Sequence, residues 1–519
     1  MKIERTKNAG RNILFGVLLK IYQIFMPFVM RTAMIYFMGV QYLGLSSLFT
    51  SILQVLNLAE LGVGSAMVYS MYKPIAEDNR EQICALMRLY RTYYRVIGLI
   101  IAILGLLLLP FIPKLIKGNI PANVNIYILY LLNLSATVLS YWLFAYKNCL
   151  LSAHQRVDII SKVALITNTV QYLLQFAVLC FVKNYYWYLI VALITQVMTN
   201  IVTAYVVTKT YPFYKPVGKL EKTQVSKING RIRDLFTSKV GTVIVNSADT
   251  IVISAFLGLT MLAVYQNYYF ILNSLIGLVT IIFTACTAGI GNSVIVETKQ
   301  KNYNDLKKFT FIIAWIAGFC TCGLLCLYQP FMQIWVGEKL KLEFTAVICF
   351  CIYYFVYEIN QILTTYKDAA GIWHEDRFRP LITALTNLVM NLITVQFWGI
   401  YGVILSTALS TIFVGMPWLL HNLFTVLFSK KELPDYLKHL GFYVAVTIVT
   451  CVVTGIICNF IHFGNWMTFI LRAVVCCIIP NLIFWLIYHK RSEFLQSIQL
   501  IDKITKNKFS LEQRILRKK

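Results

Sequence analysis

The feature that most constrains this chain is a succession of long apolar segments that runs through nearly its whole length. A helix needs about 20 mostly apolar residues to cross roughly 30 Å of hydrocarbon. Fourteen segments satisfy this requirement, and 58% of the residues are apolar against 13% charged, more than a soluble core needs. The sequence therefore predicts an all-α membrane protein with about 14 transmembrane helices. They lie near 12–37, 44–70, 94–116, 126–147, 160–182, 186–208, 236–257, 262–292, 309–330, 345–366, 381–397, 400–427, 441–463 and 467–488.

An internal repeat organises these segments. The stretch FMGVQYL at 37–43 returns as FLGLTML at 256–262, an offset of 219 residues. Matches at or within one residue of this offset pair Lys20 with Lys239, Pro110 with Pro330, Tyr146 with Tyr366, His154 with His374 and Asn168 with Asn387. Several matches in register over about 150 residues indicate a duplicated unit. We therefore expect two pseudo-symmetric six-helix lobes, with two further helices at the C-terminal end.

The repeat and the loop composition predict the division of the chain. Pro212, Pro216 and Gly218 lie among basic residues where the two lobes join, which is typical of a flexible linker at a lipid surface. The predicted parts are an N-terminal lobe at 1–208, a basic cytoplasmic linker at 209–235, a C-terminal lobe at 236–428, extra spans at 429–488 and a basic cytoplasmic tail at 489–519.

The net charge of +25 comes from 47 Lys and Arg residues against 22 Asp and Glu. An even number of spans puts both termini on one side, and most basic residues lie on that side, in the terminal segments and alternate loops. Positive charge marks the cytoplasmic face, so we expect cytoplasmic termini and no nucleic-acid partner. The basic segment 1–11 precedes an apolar run too long for a signal peptide, which predicts an uncleaved first span.

The sequence predicts no catalytic residues and no metal site. Of the thirteen cysteines, a group lies in apolar runs without acidic or histidine companions, namely Cys320, Cys322, Cys349, Cys351, Cys476 and Cys477. Buried cysteine behaves as a small hydrophobe. His154 and His374 occupy matching loops but share no carboxylate or thiol neighbours, so duplication is the simpler explanation for the pair. The chain has no Walker motif, which argues against ATP as the source of energy.

Three cations within the spans are the predicted binding residues. A charge inside a span costs about 2.5–3.5 kcal/mol on insertion scales and therefore requires a reason. Lys20 and Arg31 lie eleven residues apart on the first span, about 16 Å along one helix face. Together with Lys239 of the seventh span, they are predicted to line a cavity between the lobes and to bind an anionic group.

The acids Asp249, Glu60 and Glu358 are predicted to balance or gate these cations. Structural alternatives stay open at this point. Lys239 can snorkel to the interface, Glu60 can pair with a neighbouring helix, and Arg31 can form a salt bridge between the lobes with Asp249. The polar residues expected to contact sugar are Gln23, Asn57, Gln175, Asn246, Asn273 and Asn391.

The motifs resemble those of a known family. FMGVQYLGL at 37–45, NLAELGVG at 57–64, ADTIVI at 248–253 and FMQIWVG at 331–337 are similar to segments of Wzx-type flippases. These proteins translocate O-antigen, capsule and exopolysaccharide repeat units, and they belong to the multidrug/oligosaccharidyl-lipid/polysaccharide exporter superfamily. The resemblance implies a V-shaped pair of six-helix bundles that works by alternating access in the bacterial cytoplasmic membrane. It implies a transporter rather than an enzyme.

The implied substrate is an undecaprenyl-pyrophosphate-linked oligosaccharide, moved from the cytoplasmic to the outer face. In this family and its lipid II relatives a cationic cavity receives the pyrophosphate, and Arg31, Lys20 and Lys239 are the residues here that match this role. In lipid II flippases the last two spans, at 441–488 here, form a groove for the lipid tail. The resemblance implies no cofactor beyond coupling to H+ or Na+, with membrane lipids and the polysaccharide polymerase complex as partners.

Three alternatives remain at the level of sequence. A lipid II-type peptidoglycan precursor flippase differs mainly in its glycan. A cation-coupled drug exporter of the related multidrug family usually has twelve spans and binds cations through acids. A membrane glycosyltransferase or polymerase places carboxylates on sizeable outer loops, where this chain offers only Glu338 and Glu343.

Overall fold

The structure is a computed structural model that describes residues 5–118, 120, 121 and 123–504. Over these residues the chain forms α-helices joined by short connections, with no β-strand. The first eight helices are α1 (Arg5–Phe37), α2 (Val40–Leu56), α3 (Val63–Ala76), α4 (Arg80–Leu108), α5 (Ile126–Trp142), α6 (Asn148–Ala153), α7 (Val157–Ala177) and α8 (Tyr185–Thr210). The remaining helices are α9 (Lys222–Leu257), α10 (Leu259–Val296), α11 (Lys299–Val336), α12 (Phe344–Ala369), α13 (Arg379–Ser410), α14 (Met416–Val426), α15 (Leu433–Asn459), α16 (Asn465–Tyr488) and α17 (Ser492–Ile504). The predicted all-α fold class is confirmed.

Twelve helical segments of the described chain are long and apolar enough to cross a membrane, or 13 when the bent pair of α5 and the helix after it counts as one span. One of the twelve, Arg379–Val426, contains 48 residues. At 1.5 Å per residue a straight helix of this length would measure about 72 Å, more than twice the hydrocarbon thickness. A single crossing therefore cannot account for it.

The chain reverses direction inside this segment, at Gly399. This residue has non-helical backbone angles, φ 54° and ψ −129°. The Asn387 side chain donates a hydrogen bond to the Thr407 hydroxyl at 2.9 Å, although 20 residues of straight helix would separate them by about 30 Å. The segment therefore holds two antiparallel spans. With this division the count reaches the predicted fourteen.

The repeated sequence motif corresponds to a repeated turn. α1 gives way to α2 at Gly39, and α9 gives way to α10 at Gly258. The φ angles of these glycines are 108° and 90°, a region of backbone conformation that side-chain-bearing residues rarely adopt. The duplicated glycine is therefore required for the tight junction between consecutive spans.

The described chain forms two compact units, Met1–Gln266 and Asn267–Lys519, called here the first and second unit. In the first unit α9 packs against α2 and α3, and in the second unit α15, α16 and α17 pack against α11. The predicted lobe boundaries at 208 and 236 were set by the sequence repeat, whereas the two units are defined by how densely the chain packs. The units therefore do not test these boundaries, which stay a prediction.

The basic connection between α8 and α9 is partly helical, because α9 already begins at Lys222. Its first residues contact the loop between α6 and α7, where the His154 ring lies 4.4 Å from the Tyr211 ring and 5.9 Å from the Tyr214 ring. The predicted basic N-terminal segment and basic tail fall partly outside the described residues, at 1–4 and 505–519. Which side of the membrane holds the termini stays a prediction.

Candidate functional site

A break in the second span forms the centre of the candidate site. The sequence predicts one helix over 44–70, whereas α2 ends at Leu56 and α3 begins only at Val63. Gly62 stands at the break with φ +87°, and a Cβ there would lie 2.7 Å from the Leu235 side chain of α9. Glycine thus lets α9 approach the break. The first turn of α3 carries backbone N–H groups without helical partners, which favour anions.

A cavity of about 590 Å³ opens beside this break, within the first unit. Its lining comes from the break and from α3, α4, α6 and α9, and it combines hydroxyl, amide, carboxylate and ammonium groups. The lining residues are Glu60, Leu61, Gly62, Gly64, Ser65, Val68, Tyr69, Tyr72, Tyr90, Asn148, Cys149, Ser152 and Lys239. This volume lies within the range of ordinary small-molecule sites, about 300–1,000 Å³.

The Glu60 carboxylate is held by a chain of tyrosines. The Tyr90 hydroxyl donates to the Tyr94 hydroxyl at 2.5 Å, and Tyr94 donates to Glu60 Oε1 at 3.0 Å. The Tyr94 ring is in turn packed edge-on against Tyr141, with centroids 5.3 Å apart. A Cβ on Gly64 would lie 3.3 Å from Glu60 Oε1, so the small residue leaves room for the carboxylate. One oxygen of Glu60 therefore has a fixed partner.

Lys239 of α9 lines the same cavity and lies close enough to Glu60 to interact electrostatically. Its side chain is exposed, and the described part of the chain contains no salt bridge to it within 4 Å. Of the predicted site residues, the structure thus brings together one cation and one acid, and it adds the α3 N-terminus. This part of the cavity can hold a negatively charged group against Lys239.

Arg31 and Asp249 belong to a second polar cluster at the start of α10. The Arg31 guanidinium donates to the Gln266 carbonyl at 3.5 Å, and the Tyr265 hydroxyl donates to Asp249 at 3.5 Å. Asp249 is 8% exposed. It follows Lys239 by ten residues, or about 15 Å along α9. The structure therefore places these two residues at a different depth from the cavity.

The two other predicted residues lie apart from the cavity lining. Lys20 is exposed on α1. Glu358 lies on α12 of the second unit, where it is fully buried, and neither carboxylate oxygen has a hydrogen-bond partner in the part of the chain described. A buried carboxylate without partners requires a proton or a cation to offset the loss of hydration.

Several residues of the site were not predicted from the sequence. Tyr90 and Tyr94 have the i, i+4 spacing of a buried helix face, and nothing in that pattern separates a packing tyrosine from one that orients an acid. Asn148 and Ser152 lie one turn apart on the short helix α6, so the same i, i+4 spacing is their only signal.

Of the polar residues expected to contact sugar, two have structural partners. Gln175 donates to the Tyr188 carbonyl at 3.2 Å, and Asn391 accepts a hydrogen bond from Ser406. Asn57 Oδ1 is buried and has no hydrogen-bond partner within the described ranges. The Asn246 side chain lies outside the described residues.

No protein-family model matches the chain, and no curated protein is detectably similar in sequence. Solved structures do share its fold. The lipid II flippase MurJ, in an inward closed conformation, matches with a TM-score of 0.69 and 16% identity, over 92% of this chain and 99% of its own. An inward-facing multidrug resistance MATE family transporter of the MOP superfamily gives a TM-score of 0.58 with 13% identity, over 80% of this chain and 99% of its own. An outward-facing conformation of such a transporter gives a TM-score of 0.55 with 13% identity, over 82% of this chain and 97% of its own. The chain is a multi-pass membrane protein with the fold of MOP-superfamily flippases and exporters.

Proposed function

We propose that this protein is a flippase that moves undecaprenyl-pyrophosphate-linked polysaccharide repeat units by alternating access. The direction is from the cytoplasmic to the outer face of the bacterial cytoplasmic membrane, and the product serves O-antigen, capsule or exopolysaccharide synthesis. The observation that carries the proposal is the cavity that Lys239 lines together with the first residues of α3. The shared fold with MurJ and MATE transporters supports transport as the class of activity.

The diphosphate is the part of this substrate that most needs the protein. It carries about two negative charges, and its transfer into hydrocarbon without partners would be prohibitive. Lys239 supplies an ammonium, and the first turn of α3 supplies backbone N–H donors. Ser65, Ser152 and Asn148 offer neutral hydrogen bonds to sugar hydroxyls in the same cavity.

Glu60 gives the cavity a means of coupling. Without substrate, its carboxylate offsets the charge of Lys239. When the diphosphate enters, two negative groups compete for one ammonium, and protonation of Glu60 or its binding of Na+ relieves the repulsion. Release of that ion on the opposite side would return the cavity to its resting charge. Asp249 and Glu358 are the further acids proposed for coupling or gating.

Arg31 and Lys20 are proposed as further cations on the route of the diphosphate. Both lie on α1, about 16 Å apart along its axis, so they would meet the anion at successive depths. The Arg31 guanidinium is positioned by the Gln266 carbonyl. No catalytic residue, cofactor or nucleic-acid partner enters this mechanism, and the polymerase complex would take up the product.

A lipid II-type peptidoglycan precursor flippase is the second candidate. The MurJ structure covers 92% of this chain, against 80% for the inward-facing MATE transporter, and this difference favours a lipid-linked substrate over a drug. Lipid II also carries a diphosphate, so the Lys239 cavity serves either substrate. A membrane glycosyltransferase is less favoured, because the structures that share this fold are transporters.

The test is to identify the lipid that accumulates in cells from which the gene has been deleted. We expect undecaprenyl-pyrophosphate oligosaccharide to build up on the cytoplasmic face, detected by mass spectrometry of extracted lipids and by inaccessibility to an external glycosidase. The intact protein should relieve this accumulation, whereas Lys239→Met at equal expression should not. Lys227→Met, also on α9 and exposed, is the matched control. Accumulation of lipid II instead would favour the second candidate, and unchanged lipid pools would contradict both.

A further inference from the structure

Three cysteine side chains meet inside the second unit. Cys326 of α11, Cys458 of α15 and Cys476 of α16 place their Sγ atoms within 4.8 Å of one another. Their exposed fractions are 5%, 2% and 3%. They lie on three different helices and far apart in sequence, so the fold rather than a local motif brings them together. We propose that this three-thiol cluster is a binding site for Cu(I).

The spacing of the sulfurs is that of a nearly formed trigonal site. A metal at the centre of three sulfurs, with metal–sulfur bonds of about 2.3 Å, requires sulfur–sulfur distances of about 4.0 Å. The observed upper limit of 4.8 Å exceeds this by less than an ångström, which rotation about the Cα–Cβ bonds can supply. No backbone movement is needed to close the triangle around an ion.

The chemistry of the surroundings selects the metal. The apolar side chains of Leu325, Leu327 and Val475 pack against the cluster. Within the described ranges no histidine or carboxylate joins the three thiols. Hard cations such as Ca²⁺ and Mg²⁺ require oxygen ligands. Structural Zn²⁺ is almost always bound by four ligands. Soft thiolates without a fourth ligand favour monovalent copper.

Arg472 supplies a compensating charge beside the cluster. It precedes Cys476 by one helical turn on α16, and it interacts electrostatically with Cys458. Its Nη2 donates to the Ile461 carbonyl at 3.2 Å, whereas its Nε is buried and has no hydrogen-bond partner in the described chain. Three thiolate ligands carry three negative charges, and one Cu(I) together with this guanidinium offsets two of them. Binding would therefore release three thiol protons to solvent and leave one net negative charge at the site.

The cluster lies close to an exposed loop. Cys458 is the second-last residue of α15, and the loop that follows it is exposed, with Phe460 at 83% and Phe463 at 66% exposure. An ion that arrives at this loop is one residue from its first ligand. Once bound, it would join α11 to both C-terminal spans and resist their separation. The site is independent of the proposed transport activity.

The test is anaerobic titration of the detergent-purified full-length protein with Cu(I) held by a chromogenic chelator of known affinity. We expect one equivalent per chain, a thiolate-to-copper absorption band in the near ultraviolet, and three sulfur neighbours at about 2.3 Å by X-ray absorption. The apparent unfolding temperature should rise with Cu(I), because a ligand that binds only the folded state stabilises it. Zn²⁺ should bind more weakly.

Single Cys326→Ser, Cys458→Ser and Cys476→Ser variants should each weaken binding at least tenfold. Cys349→Ser, which removes a buried thiol of the same unit outside the cluster, should bind as the unchanged protein does. The rate of alkylation in the unchanged protein provides a readout without variants, because buried thiols react only through transient local opening: Cu(I) should slow the labelling of these three thiols together. No competition with the chelator, unchanged binding in the three serine variants, or shielding of other thiols only would overturn the proposal.

Discussion

Lys239 and Glu60 face one cavity with opposite charges, so their neutralisation should shift ligand affinity in opposite directions. The informative variants are Lys239→Met and Glu60→Gln, each of which keeps the approximate side-chain volume. The amide oxygen of the substituted glutamine can still accept the hydrogen bond that Tyr94 donates. If the ligand is an anion, Lys239→Met weakens binding and Glu60→Gln strengthens it.

The size of these effects follows from the setting of the two groups. A hydrogen bond to a charged group contributes about 1.5–3 kcal/mol, which corresponds to about 10- to 150-fold in affinity. The Lys239 side chain is exposed to the cavity, so screening places its effect near the lower end, about tenfold. Removal of the Glu60 charge should strengthen binding by about 1 kcal/mol, or fivefold. The double variant should lie between the two single variants.

The assay is equilibrium binding of an undecaprenyl-pyrophosphate oligosaccharide to protein in lipid nanodiscs at constant ionic strength. Lys227→Met on the same helix controls for loss of positive charge alone and should leave the affinity within about twofold. The opposite pattern, with Glu60→Gln weaker and Lys239→Met tighter, would refute the reasoning and indicate a cationic ligand. No change in either variant would remove the cavity from the route.

Further predictions concern stability in detergent, followed as the apparent unfolding temperature. Asp376→Ala leaves the buried Arg379 without its carboxylate partner, while Lys367 keeps its salt bridge to Asp368. This change should cost about 3–5 kcal/mol, whereas Glu77→Ala, at an exposed pair, should cost less than about 1 kcal/mol. Burial lowers the pKa of His154, so protonation favours the unfolded chain and the stability should fall as the pH drops below about 6.5. His154→Gln should reduce this dependence of the unfolding temperature on pH. An unchanged pH dependence would contradict the assignment to His154. Gly62→Ala places a Cβ 2.7 Å from a side chain at positive φ and should cost at least about 1 kcal/mol. Gly230→Ala, with open space around it inside α9, should gain about 0.5–1 kcal/mol, and equal effects of the two substitutions would contradict the steric argument.

The fold was predictable because the membrane imposes a simple rule on sequence. Each span that faces lipid must satisfy its backbone hydrogen bonds within an apolar helix, so the number of spans could be counted directly even where one of them is broken. Even the reversal at Gly399, hidden inside one long helical segment, was predicted as the gap between spans 381–397 and 400–427. The sequence repeat indicated the junctions at Gly39 and Gly258, because the same glycine-containing motif stands at the end of an apolar segment in both copies.

The candidate site was only partly predictable. The cost of a charge inside a membrane span identified Lys239 and Glu60 as residues that need an explanation, and they line one cavity. Their separation from Arg31 depends on the position of the Gln266 carbonyl of α10, which accepts a hydrogen bond from Arg31. No rule of residue spacing predicts that contact. The tyrosines that hold Glu60 have the pattern of ordinary packing residues.

The cysteine cluster was missed for a different reason. Local spacing identifies metal sites whose ligands lie close together in sequence. Cys326 lies more than a hundred residues before Cys458 and Cys476, and each thiol stands in an apolar run typical of simple packing. Only the packing of α15 and α16 against α11 brings the three sulfurs together.

The measurement that tests the central claim most directly is translocation in proteoliposomes that contain only this protein. A fluorescent undecaprenyl-pyrophosphate oligosaccharide is placed in both leaflets, and the fraction accessible to an external reagent is followed over time, with Lys239→Met and Lys227→Met beside the unchanged protein. We expect transport by the unchanged protein and by Lys227→Met, and a rate at least tenfold lower for Lys239→Met. Transport no faster than in protein-free liposomes, under conditions where a cationic drug is moved, would contradict the account.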